Sequence, residues 1–388
     1  MSNVVKAVQN IVQKVVSWFI PIPEIPDTPE VEEIRGTQIN KQSNNAQIPV
    51  IYGERLVGGT RVFLETSGAD NTYLYGAMVL AEGEINAITE IQVNESVVTF
   101  SGSFADGTQI TSNDSKYGTT FTVQPFYGTD SQSASSLLTT LSSWGSNHKL
   151  SGIAYIAFRF TWDSDKYSGI PNIKVKVQGK KVSTFDSGGN ETTGVYSTNP
   201  VWCLLDFLRN ERYGKGIADS DIDISSFYTA SQIAETQVTP YSGASDINLF
   251  DCNAVINTNK KIIDNVKVFL KGMRGLLPYV QGKFKLLIES TGTATFTLNE
   301  DNIIGGIKVE SERKNEKYNR VLVNYVNPDK NYQVDTVVYP ETEAEHTTLK
   351  TADGGFLQEG NITLDTISSP YQALEFGKII LNRSRNNL

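Results

Sequence analysis

The residues of this 388-residue chain that could do acid–base or covalent chemistry are few: two histidines, two cysteines and a scatter of neighbouring carboxylates. His148 and His346 stand far apart in polar, loop-like surroundings and read as surface residues, not as a general base and its partner. Cys203 falls on the apolar side of a helical pattern and Cys252 in a strand-like stretch, the setting of two buried free thiols. Glu82/Glu84 and Glu341/Glu343/Glu345 are close enough for general acid–base work, but with 43 acidic residues such pairs arise as solvated faces. His-Glu-x-x-His, Cys-x-x-Cys, Gly-x-Ser-x-Gly and the phosphate-binding Walker loop are all missing. Gly58-Gly59, with no helical pattern behind it, reads as a tight turn and not a phosphate cradle. Tyr73, Tyr75, Trp144, Tyr155 and Trp162 could line a sugar-binding face, although aromatic residues in strands more often fill a core. No catalytic, cofactor-binding or metal-ligating residue is assigned.

The composition is that of a globular protein, 39% hydrophobic with 31 glycines, and the length is enough for two or three domains. A net charge of -9 and a pI near 5.0 argue against a surface built to neutralise phosphates, which would need a basic stripe. Organisation turns on residues 199–216. Asn199 is placed to cap a helix and Pro200 to open it; Val201, Leu204, Leu205 and Leu208 recur at helical spacing, and Gly214 and Gly216 end it.

Before that helix the pattern is one of strands: 48–53 and 58–63 about a turn, a nearly all-apolar run at 73–81, a hairpin at 91–98 broken at Asn94-Glu95, a buried run at 153–162, and clean alternation at 173–177. Such strands predict a small barrel or sandwich. Residues 102–147, with one strand at 121–126 and a possible helix at 133–141, read as an exposed insertion, and 183–197 as a linker. After the central helix, helices at 225–235 and 260–273 and a hairpin turning at Gln281-Gly282 predict a compact α+β unit. A strand–turn–strand unit at 319–339 and a helix from Pro370 close the chain, which reads as a partial polypeptide stopping where another strand should follow. The expected division is an arm at 1–35, a β domain at 36–185, an α+β domain at 186–304 and a β-rich domain at 305–388. The fold class is thus α+β, predominantly β.

The first 20 residues carry one apolar helical stripe, Val4, Val5, Val8, Ile11, Val12, Val15, Val16 and Phe19, with Lys6, Gln9 and Lys14 off it. It is too short and too polar on its other side to span a bilayer. It could dock in a groove on a partner, pack on its own domain or lie on a membrane surface. Val4, Val8, Ile11, Val12, Val15, Trp18 and Phe19 are the candidate docking residues. Pro21, Pro23, Pro26 and Pro29 then make a stiff extended spacer.

Several phrases of the sequence, taken in order, resemble the siphophage tail hub and tip attachment (host specificity) proteins, a lambda-like family. They are Asn45-Ala46-Gln47-Ile48-Pro49-Val50-Ile51-Tyr52-Gly53 with Gly58-Gly59 and Arg61; Val79-Leu80-Ala81-Glu82-Gly83-Glu84-Ile85; Gly169-Ile170-Pro171-Asn172; Gly179-Lys180-Lys181-Val182; the Asn199-Pro200 helix ending Arg212-Tyr213-Gly214; Met273-Arg274-Gly275; and Tyr318-Asn319-Arg320-Val321. The resemblance implies a multidomain hub with tube-like β-barrels at 36–185 and 305–388, the second incomplete, and an outer α+β domain between them. It implies a non-enzymatic homotrimer at the distal tail end of a virion, assembled in the host cytoplasm. Its partners would be tail-tube, distal-tail and tip or fibre proteins, with DNA passing an acidic lumen unbound and membrane contact only through the N-terminal helix. The rival expectation is a tail-associated module that binds or degrades cell-wall glycan.

Overall fold

The computed structural model describes residues 40–42, 46–242, 244–290, 299, 302–303 and 317–386. Strands dominate, and the helices gather in the second half, as the α+β, predominantly β reading requires.

The first half folds into two curled sheets facing each other. Strands β1 (Val50–Tyr52), β2 (Glu54–Gly58), β3 (Thr60–Ser67), β4 (Tyr73–Glu82) and β5 (Ile85–Val93) are followed by β6 (Phe121–Tyr127), β7 (Ile153–Thr161), β8 (Ile173–Phe185) and β9 (Glu191–Tyr196). One sheet runs β3-β4-β7-β6, extended by the short strands Lys41–Gln42 and Ile110–Thr111 at its two edges. In the other, β8 is central. Its residues 173–180 pair with β5, while β2 and β9 share its other edge, along 174–178 and 181–185. Ile51, Met78, Ile91, Phe121, Ile156 and Val175 are among the side chains that fill the space between the sheets.

The apolar runs at 73–81 and 153–162 have a physical reason: β4 and β7 are buried on both faces. Their outer face, with Tyr75, Val79 and Tyr155, lies under Leu137, Leu138, Leu141 and Trp144. Residues 102–147 are therefore not an exposed insertion but supply a strand and a cover to this domain. Nor is 133–141 a helix. The Gln124 side chain accepts hydrogen bonds from Ser135 Oγ (2.7 Å) and the Leu137 N–H (3.2 Å), so side chains take the polar groups that a helix would pair.

Gly58-Gly59 is no tight turn either. The chain passes there in extended form from one sheet to the other, and a Cβ on Gly59 would sit 2.4 Å from Met78 Cγ and from the Val79 carbonyl oxygen. The stretch 183–197, read as a linker, is the end of β8 and all of β9, so the hairpin crosses the boundary expected at 185. Asn94 and Glu95, at φ 48° and 67°, form the hairpin turn expected there.

Helices α1 (Pro200–Arg209), α2 (Ile224–Ala234) and α3 (Ile262–Gly272) follow, with strand β10 (Ala254–Ile256) between the last two. Asn199 caps α1, its side chain accepting from the Val201 N–H. All of α1 except Asp206 and Arg209 is buried, the mark of a helix at the centre of a core. It ends at Asn210, before either glycine. Gly214 serves a different need, packing so closely on the Phe207 carbonyl oxygen that a Cβ would lie 1.7 Å from it.

Strands β11 (Arg320–Asn327) and β12 (Gln333–Tyr339), helix α4 (Glu343–Ala352), strand β13 (Glu359–Thr363) and helix α5 (Pro370–Asn386) end the described chain. Among the described residues this part is not a second barrel. It is a three-stranded sheet, β12-β11-β13, antiparallel on one side and parallel on the other, with α5 packed across it. The parallel pair demands a crossover, and α4 supplies it. The acidic run 341–345, expected as a solvated face, caps and opens α4 through Thr342, and His346 on that helix is buried, not exposed.

Candidate assembly surfaces

A hydrophobic core shared by the chain's three structured parts holds them in register. It joins Val50 and Tyr52 from β1, the buried face of α1, Phe227, Phe250 and Phe269, and Val321, Val323 and Phe376. Strand β1 pairs antiparallel with β10, which ties the first part to the second through backbone hydrogen bonds. Cys203 and Cys252 are both buried here as free thiols, and burial pushes the Cys203 thiol well up, with Cys252 beside it adding to the effect.

Polar groups at this junction are spent on one another. The Tyr52 hydroxyl donates to Asp206 Oδ2 at 2.5 Å and the Tyr213 hydroxyl to the same oxygen at 2.8 Å. Burial, then the Asp206 charge, raise the Tyr52 phenol well above its ordinary value, so it stays a neutral donor. Arg55 is fully buried and donates to the Asn253 carbonyl at 3.2 Å. Burial lowers its guanidinium to about 10, with the charge of Asp365 working against that fall. Tyr332, in the turn between β11 and β12, donates to Glu54 Oε1 at 2.9 Å, and Lys176 Nζ lies 3.1 Å from the same oxygen. Beneath it Leu56, Val326 and Tyr332 pack together. So Tyr52, Glu54 and Arg55, on two adjacent strands, reach into all three parts. Sequence reading missed Arg55 because 54–57 was taken as the middle of a turn.

An open polar hollow of about 430 Å³ is lined by Tyr196, Thr198, Asn199, Glu235 and Asn248, but Asn199 already donates to the Ser231 carbonyl (3.1 Å) and to Glu235 (2.8 Å) across it. Among the described residues no group of three or more His, Cys, Asp or Glu side chains could hold a metal ion. His148 is exposed beside Trp144, whereas His346 is buried on α4. Tyr75, Trp144 and Tyr155 are buried and form core, the favoured of the two readings of these aromatic residues; Trp162 is exposed.

Several apolar residues and one strand edge face solvent. The ribbon at 275–288 pairs Leu276 with Leu287 and Tyr279 with Phe284, and Leu276, Tyr279, Val280 and Leu287 face solvent. Phe356, 72% exposed, and Leu357 stand on the loop after α4. That loop is fixed from below: Asn319 donates to the Phe356 carbonyl at 2.8 Å, and Asp353 is bound by Arg385 at 2.7 Å and Lys317 at 3.1 Å. Strand β9 leaves one edge exposed along 191–194. The sequence showed the hairpin at 275–288 but not which of its apolar residues would be left outside. The residues it named for docking, Val4, Val8, Ile11, Val12, Val15, Trp18 and Phe19, lie outside the described residues. No described helix is long and apolar enough to cross a membrane.

Comparison with known proteins points one way. No protein-family model matches the chain. It is similar to the "Baseplate hub protein pb3" of Escherichia phage T5, 22% identical over 404 aligned residues, covering 87% of this chain and 41% of that protein. It is also similar to the "Tip attachment protein J" of Escherichia phage SECphi27, 23% identical over 212 residues, covering 51% of this chain and 17% of that protein. The chain thus spans less than half the length of either relative. Among solved structures, a chain of the "Virion of native gene transfer agent (GTA) particle" shares the fold, with a TM-score of 0.55, 14% identity and 99% of this chain covered, against 83% of that one. The resemblance to tail hub and tip attachment proteins read from the sequence is therefore met by relatives of that kind.

Proposed function

We propose that the chain is a structural hub at the distal end of a phage tail, where copies of it form a trimeric ring that continues or closes the tail tube and anchors tip or fibre components for DNA delivery. The observation that carries this reading is the alignment with a baseplate hub protein across 87% of the chain. The fold supports it, since curled sheets locked to a helical unit through one core make a rigid ring segment. The role is one of assembly: the polar groups at the junction bind each other, and Phe356 and Leu357 are apolar residues left facing solvent. Partners would be tail-tube, distal-tail and tip proteins, met through those surfaces and through the N-terminal stripe from Val4 to Phe19. A chain of net charge -9 lets DNA slide past, because it has no excess of cations to exchange for the counterions on the phosphates.

Native mass measurement of the purified chain, with imaging of labelled tail tips, tests this. A trimer and a label at the distal tail end are expected. A chain that stays monomeric at every concentration and joins no tail end would overturn the reading.

A further inference from the structure

The ribbon at 275–288 is out of keeping with the rest of the chain. Residues 260–288 hold seven basic side chains and one acidic one, Asp264, in a protein of net charge -9. The ribbon itself carries Lys283 and Lys285 and no acid. Lys283 is exposed, while Lys285 is half-buried with Asp223 3.5 Å away. Leu276, Tyr279, Val280 and Leu287, each between 42% and 56% exposed, share this element with a Tyr279–Phe284 ring pair whose centroids are 4.9 Å apart. Single exposed apolar residues need no explanation, but four on one two-stranded ribbon with an aromatic pair mark a contact surface. The turn that presents them is built for the purpose: Gln281 and Gly282 both have positive φ, 55° and 80°, as a tight hairpin needs.

The same chain contains a segment of complementary chemistry. Residues 20–35 alternate Pro21, Pro23, Pro26 and Pro29 with Ile22, Ile25, Val31 and Ile34, and carry five acids, Glu24, Asp27, Glu30, Glu32 and Glu33, against Arg35. Proline-rich stretches dock on aromatic surfaces because they lose little conformational freedom on binding. The reach is sufficient. The chain enters the described structure at Asn40, whose side chain donates to the Ile173 carbonyl at 2.6 Å and accepts from Arg61 at 2.7 Å. A stretch of twenty residues can span at most about 60 Å at ~3.1 Å each. A domain assembly of this length has a radius of gyration near ~21 Å.

We infer that the basic, apolar ribbon at 275–288 is the docking site for the acidic, proline-rich segment 20–35 of this chain, supplied by the same copy or by a neighbouring one. The inference stands apart from the hub reading, because it needs neither a ring nor a tail.

The test is a photo-cross-linking amino acid at position 279 of the full-length chain, with the cross-linked peptides identified by mass spectrometry. Peptides from 20–35 are expected, and a mixture of isotopically heavy and light copies tells whether they come from the same copy or from a neighbour; either supports the site. The pair Lys283→Glu and Lys285→Glu should lower the yield roughly three- to tenfold, as two partly exposed charge contacts would. Reversing Glu30, Glu32 and Glu33 to Lys should restore it, a rescue that misfolding cannot produce. Cross-links confined to another copy's 275–288, to sequences other than 20–35, or seen only with added anionic lipid vesicles would overturn the inference. So would a yield indifferent to both charge reversals.

Discussion

Asp353 is the clearest place to test how the C-terminal sheet is held. Its side chain, 4% exposed, lies 2.7 Å from Arg385 near the end of α5 and 3.1 Å from Lys317 before β11, and accepts from Asn319 at 3.2 Å. Burial alone would raise this carboxyl, but the hydrogen bonds from Arg385, Lys317 and Asn319 outweigh it and hold it at about 2, against an ordinary 3.8. A folded-state value below the unfolded one means that the stabilisation is present above pH 4 and is lost as pH falls from there through 2. By linkage it amounts to roughly 2 kcal/mol at pH 7 and about half of that at pH 3. Asp353→Asn keeps the volume and removes the charge. Breaking a fully buried pair would cost ~3–5 kcal/mol, but Lys317 is 40% exposed and can rehydrate, so the linkage figure is the better guide. Urea unfolding of both proteins should show a gap of roughly 2 kcal/mol at pH 7 that roughly halves at pH 3. A gap below about 0.5 kcal/mol at pH 7, or one equal at the two pH values, would refute the charge network as the source of stability.

Three further outcomes are open to direct measurement. Tyr52→Phe removes the donor at 2.5 Å from Asp206. With Tyr213 still bound to that carboxylate, it should cost about 1.5 kcal/mol in denaturant unfolding, and no loss at all would mean that the bond contributes nothing. Gly214→Ala forces a Cβ to 1.7 Å from the Phe207 carbonyl oxygen, a backbone atom that cannot swing aside as a side-chain end could. We expect a loss of more than ~3 kcal/mol or of soluble protein altogether, and a wild-type melting temperature would show that the loop moves freely. Val8→Asp, Val12→Asp and Val15→Asp together should leave the melting temperature unchanged while abolishing recruitment to tail ends, since three charges on an apolar stripe cannot be desolvated cheaply. Destabilisation of the body would instead place that stripe in its own core.

How far the sequence could be read depended on whether the signal was local. The cap at Asn199, the helix at 260–273, the Gln281-Gly282 turn and the strand pair about Asn327-Pro328 are set by neighbours in sequence, and they were legible. The all-apolar runs of β4 and β7 announced burial but not what covered them, because Leu137, Leu138 and Trp144 lie in a Ser/Thr-rich stretch that reads as surface. The helix α4 was hidden by its composition, Glu-Ala-Glu-His-Thr-Thr, whose one buried side chain is His346. A parallel pairing such as β11 with β13 leaves no short-range trace at all. The junction residues Tyr52, Glu54 and Arg55 were invisible for the same reason: their partners stand 150 to 280 positions away.

That junction also decides whether the three parts can move against one another. Domains joined by modest polar interfaces rotate by default. Here β1 is hydrogen-bonded to β10, Arg55 reaches the Asn253 carbonyl from the neighbouring strand, Tyr332 reaches back to Glu54, and Phe376 of α5 packs in the same core as Trp202 of α1. Opening a seam would break these hydrogen bonds and return apolar side chains of the shared core to water, at ~25 cal/mol for each Å² of apolar surface exposed. Calorimetry should therefore find one cooperative transition for the parts sharing this core. Two transitions separated by more than ~10 °C, with the first assigned by hydrogen exchange to 320–386, would show that the C-terminal sheet is a lodger on the core and not a member of it.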